Sequence, residues 1–124
     1  MTQKIAFGAR VIMGLIFVVF GLNGFLNFMP TPPLTPPAAA FLNAMMATGY
    51  ILPMVKATEI IGGAMLLSGG LAPLGLVFLA PVIVNILAFH LFLDPAGLPM
   101  ATVLTLLEAF LAFAYFGRFR SLFG

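Results

Sequence analysis

The chain has 124 residues, of which 63% are hydrophobic and 6% charged, and its mean hydropathy is +1.22. A soluble domain carries about 25% charged residues, so this composition excludes a soluble fold and selects a membrane protein. The formal charge of +2 comes from scattered basic residues that form no patch for nucleic acid, and the lack of cysteine excludes disulfides, thiolate metal sites and a thiol relay on this chain.

Only helices and closed barrels satisfy their backbone groups inside a bilayer. A barrel needs alternating apolar and polar residues, whereas this chain has long unbroken apolar runs. A helical span takes about 20 residues, so the length predicts four spans with short connections. The expected fold is an all-α membrane protein: one transmembrane domain over 1–124, a bundle of four transmembrane helices, with a short interfacial helix in the first outer loop.

The first span is expected over 5–28. It is longer than the apolar core of a signal peptide, and no small-x-small cleavage pattern follows it. A Pro-rich stretch, Pro30 to Pro37, then has five prolines in eight residues, which breaks the helix and favours an extended chain. Thr35 is placed to N-cap a helix of about three turns from Ala38 to Thr48, too short to span. The loop and its helix together occupy 30–49.

The second span is expected over 51–69, with Pro53 in its first turn and a Gly69-Gly70 turn after it. The third covers 74–93 and contains Pro81, a candidate kink. Asp94-Pro95-Ala96-Gly97 makes the next turn, and the fourth span runs over 99–116 until Gly117 ends it. Lys4 and Arg10 flank one terminus and Arg118 and Arg120 the other. By the positive-inside rule both termini are cytoplasmic, which agrees with an even number of spans.

Ionisable residues inside spans cost about 2.5–3.5 kcal/mol each on insertion scales, so the few present here are the candidate site. Lys56 and Glu59, three apart, can touch on the second span, and they share a stripe with Gly63. Glu108 sits mid-span on a face with Ala101, Thr105 and Ala112. His90 and Asp94 are four apart near the outer end of the third span, and Asn85 is expected to face a different neighbour, about 140° away. Asn23 and Asn27 lie near the outer end of the first span, whose Gly14, Phe17, Gly21 and Gly24 form a close-packing stripe.

Asn23, Asn27, Lys56, Glu59, Asn85 and His90 in the outer half, with Glu108 just below, suggest a polar pocket that opens outward under the Pro-rich loop and its short helix. Each also has a plain structural role open to it. Lys56 can snorkel, Glu59 can pair with Lys56 for helix association, Glu108 can bond across helices, and His90 and the asparagines can serve as interhelical glue. One histidine cannot supply a bis-His haem, and the Glu-x-x-His pairs of a di-iron bundle are missing, so no metal site is expected.

Arg10, Gly14-Leu15-Ile16-Phe17, Phe20-Gly21-Leu22-Asn23 and Glu59-Ile60-Ile61-Gly62-Gly63-Ala64-Met65-Leu66-Leu67-Ser68-Gly69 resemble the DoxX family of small four-helix membrane proteins, and Ala88-Phe89-His90 is similar to a subset of it. Two positions depart from the common pattern. Gly24 stands where many relatives carry a basic residue, and Leu71-Ala72-Pro73 lacks the usual arginine. The resemblance covers nearly the whole chain and implies a bacterial inner (cytoplasmic) membrane and a link to membrane redox complexes.

The expected function is therefore a quinone- or lipophilic-ligand-binding subunit, with Glu59 and Glu108 as candidate proton donors and His90 or Lys56 hydrogen-bonding a carbonyl. A partner protein would supply the electrons, and the bilayer is the other partner. The competing expectation is a non-enzymatic lipid- or solute-binding protein, scaffold or assembly factor, since no complete catalytic constellation is present. A proton-coupled carrier is the third. The Gly62-Gly63 and Gly69-Gly70 pairs further suggest a homo-oligomer.

Overall fold

A computed structural model describes residues 2–29 and 33–120, so Pro30 to Pro32 of the Pro-rich stretch lie outside the described residues. Six α-helices follow in order: α1 Thr2–Leu26, α2 Pro36–Ala47, α3 Ile51–Ser68, α4 Ala72–Phe92, α5 Leu98–Ala114 and α6 Phe116–Arg120. A 3₁₀ turn, Pro95–Gly97, joins α4 to α5. Four helical segments among the described residues are long and apolar enough to cross a membrane: Gln3–Leu26, Ile51–Ser68, Ala72–Phe92 and Pro95–Ala114.

They form an antiparallel ring in which α3 packs between α1 and α4, and α5 closes the ring between α4 and α1. The α1–α3 seam is the most extensive and the α1–α5 seam the least. Large apolar side chains also cover the outside, with Phe92 76% and Phe113 80% exposed. In water that would be a liability; in hydrocarbon it is the solvated state, which is why the bundle is that of a membrane protein.

Small residues set the tight seams. A Cβ added at Gly63 would lie 2.8 Å from the Gly14 carbonyl oxygen, and one at Gly14 2.9 Å from that of Gly63. On the other side of α3, a Cβ at Gly75 would lie 2.8 Å from the Gly62 carbonyl oxygen. The glycine stripe of α1 is thus a close-packing face, as its spacing indicates. Gly62 and Gly63 are occupied by α4 and α1 of the same chain, so they offer no face to a second copy.

Several boundaries differ from the sequence expectations. α1 begins at Thr2 and ends at Leu26, because Asn27 adopts a left-handed φ of 53° and the Asn23 side chain takes over the Met29 amide. α4 runs without a break through Pro81. α5 ends at Ala114, and Gly117 lies inside the short α6 rather than at a terminus. Thr35 does cap α2: its Oγ accepts from the Ala38 amide at 3.3 Å, and its hydroxyl donates to the Leu93 carbonyl, which ties α2 to the end of α4.

Arg10 has a role that the sequence did not indicate. It is buried, its guanidinium donates to the carbonyls of Leu66 and of Leu67, the latter at 3.2 Å, and it lies 5.0 Å from the centre of the Phe7 ring. It thereby satisfies orphan carbonyls at the C-terminus of α3, where the helix dipole favours a cation. Arg118 does the same for the following turn, donating to the carbonyls of Gly69 at 3.1 Å and Gly70 at 2.7 Å.

Candidate functional site

At the end of the bundle that carries α2, the helices enclose a cavity of about 450 Å³. This lies within the range of about 300–1,000 Å³ typical of small-molecule sites. Ile16, Phe17 and Phe20 of α1, Phe41, Leu42 and Met45 of α2, and Met100 and Leu104 of α5 supply apolar walls. Phe41 of α2 meets Phe89 of α4 with ring centres 5.7 Å apart, so the short helix covers the cavity as expected.

Polar groups enter from two helices. On α3, Leu52, Val55, Lys56 and Glu59 fall on one face at three- and four-residue spacing and all line the cavity. Lys56 Nζ lies 3.1 Å from Glu59 Oε1, which realises the pair that the spacing allowed. Glu59 is only 4% exposed, so the pair is held inside the bundle. The Lys56 stem crosses Gly24 of α1, where a Cβ would stand 2.5 Å from Lys56 Cγ. Only a glycine at position 24 leaves that space for the lysine.

On α4, Asn85, Phe89 and His90 line the same cavity, and Asp94 follows at its edge. His90 Nδ1 lies 3.0 Å from the Asp94 carbonyl oxygen and 3.9 Å from Asp94 Oδ2. A carbonyl oxygen only accepts, so Nδ1 carries a hydrogen, and in the neutral ring Nε2 is then the acceptor. The imidazole is pressed onto Gly97, where a Cβ would sit 2.2 Å from His90 Cε1. Asn85 and His90, expected to face different neighbours, both line the cavity because it spreads across more than one face of α4.

Of the six candidate residues, four come together: Lys56, Glu59, Asn85 and His90. Asn23 does not line the cavity. Its Oδ1 accepts from the Met29 amide at 2.7 Å, and it serves to end α1. Glu108 lies outside the lining as well, with a buried Oε1 that has no hydrogen-bond partner among the described residues. Asp94 joins the four at the cavity edge, as its spacing of four from His90 allows.

The cavity is mainly apolar, with its polar groups confined to α3 and the end of α4. It is also open: Phe20 and Met100 line it and are themselves 42% and 46% exposed on the lipid-facing surface. Among the described residues, no three of His, Asp or Glu come together as a metal site would require. Comparisons with protein-family models, with curated proteins and with solved structures return no match.

Proposed function

We propose that this chain binds a lipophilic ligand with a polar head, of the quinone class, as a DoxX-like subunit of a membrane redox complex in a bacterial inner membrane. Both termini then lie in the cytoplasm and α2 faces outward. The observation that carries the reading is the cavity, which is apolar over most of its wall yet offers hydrogen-bond donors and acceptors together. Lys56 and Asn85 can donate to quinone carbonyls, while Glu59 and His90 Nε2 can accept from quinol hydroxyls.

Reduction of a quinone takes two electrons and two protons. A chain without cysteine has no thiol to supply the electrons, so a partner protein delivers them. The opening at Phe20 and Met100 also suits an acyl chain, which supports a second reading in which the occupant is a lipid and the protein is a binding or scaffold component.

Purification in mild detergent, followed by mass spectrometry of co-extracted small molecules, separates the two. A stoichiometric quinone that is lost in Glu59→Gln and in His90→Ala is the expected result. Bulk phospholipid alone, unchanged in both variants, would reject the quinone reading and favour the lipid one.

A further inference from the structure

Glu108, a half-buried acid whose Oε1 is shut away from the surface, is the one that ligand binding leaves unused. The buried residues Ala101, Leu104 and Leu111 mark the inward face of α5. At about 100° per residue, Glu108 falls between Ala101 and Leu104 on that face, near the middle of the span. α5 packs against α4 and α1, and the ionisable groups on those helices are already placed. On α1, Lys4 is exposed and Arg10 is bound to carbonyls of α3; on α4, His90 is bound to Asp94. Across the bundle, Glu59 is paired with Lys56, and at the far end Arg118 holds the Gly69-Gly70 turn, with its guanidinium 5.6 Å from the centre of the Tyr115 ring. Among the described residues, Glu108 Oε1 therefore has neither a counter-ion nor a hydrogen-bond partner.

The same face of α5 runs between two cavities, neither of which Glu108 itself lines. Leu104, one turn from Glu108, lines the ligand cavity. Tyr115, two turns the other way, lines a second cavity of about 420 Å³ at the end that carries the chain termini, with Gln3, Ala6 and Arg118. At a rise of about 1.5 Å per residue, Glu108 is about 6 Å along the axis from Leu104 and about 10 Å from Tyr115. An acid in the interior of a span between two cavities is the arrangement of a proton relay.

We propose that Glu108 carries protons between these cavities. Its O–H bond breaks, a matching O–H bond forms at the Glu59 carboxylate by way of cavity water, and Glu59 passes the proton to the ligand cavity. Water in the terminal cavity restores the proton on Glu108, and no electrons move.

The test is proton flux into liposomes containing the whole chain, driven by a potassium–valinomycin potential and read with an entrapped pH dye. The wild type is expected to conduct faster than protein-free liposomes, and Glu108→Gln to fall to the protein-free rate with unchanged helical circular dichroism. Glu108→Leu, which suits the apolar surroundings, replaces it if the glutamine variant does not insert, with the same expected loss. Wild-type flux at the protein-free rate, or flux that persists in a folded Glu108 variant, overturns the relay. Ligand content of the same preparations keeps the two readings apart. Glu108-dependent flux without a bound quinone removes the ligand reading alone, and a bound quinone without flux removes the relay alone.

Discussion

Arg10 is buried with its charge spent on two carbonyls of a helix more than fifty residues away in sequence. Hydrogen bonds to charged groups contribute about 1.5–3 kcal/mol, and in hydrocarbon no water replaces them. Arg10→Met keeps most of the volume and removes the donors. It should lower thermal stability in detergent by about that amount, with Arg10→Lys between the two because one ammonium reproduces part of the contact. An unchanged unfolding midpoint in Arg10→Met would show that the carbonyls find other partners. The basic character of Arg10 near a terminus was plain in the sequence, but its cap on α3 was not. A cap across that separation is a tertiary contact, and no local pattern encodes it.

At the scale of elements, the seams differ in kind. The α1–α3 and α3–α4 seams bring backbone to backbone at glycines, so a single methyl group there is costly. Gly63→Ala puts a carbon 2.8 Å from the Gly14 carbonyl oxygen and should cost about 1–3 kcal/mol, the range for overpacking. Gly8→Ala meets nothing within 4 Å and should be neutral or stabilising by up to about 1 kcal/mol through helix propensity. Thermal unfolding of the pair checks this, and equal midpoints would contradict the packing account. The glycine stripe of α1 and the Lys56–Glu59 pair on α3 were legible because helical periodicity alone places them. Asn23 was misplaced for the opposite reason. An asparagine near a helix end can line a pocket or finish the helix, and its left-handed neighbour Asn27 decides that only in three dimensions.

For the whole molecule, the number of spans was legible from hydropathy and length, and the shared end of both termini follows from it. The cavity was legible as a depth at which polar residues gather, but not as a shape. Its walls come from α1, α2 and α5 residues whose apolar character carries no positional signal. The orientation we propose is tested directly because the chain has no cysteine of its own. A cysteine at exposed Asn43 on α2 should react with a membrane-impermeant maleimide in intact cells, and one at exposed Gly117 only after permeabilisation. The reverse pattern would invert the topology.

The unequal seams also bear on how the protein is made. Synthesis proceeds from the N-terminus, so α1 and α3 meet while the rest of the chain is still on the ribosome, and α4 joins through Gly62 and Gly75. Both glycine-bound seams lie among the spans that end by Phe92. α5 arrives last, onto a finished three-helix surface, and brings both the final wall of the cavity and the acid beneath it. Without α5 the first three spans would leave the cavity lacking the Met100 and Leu104 wall, so the site is complete only when the fourth span has packed.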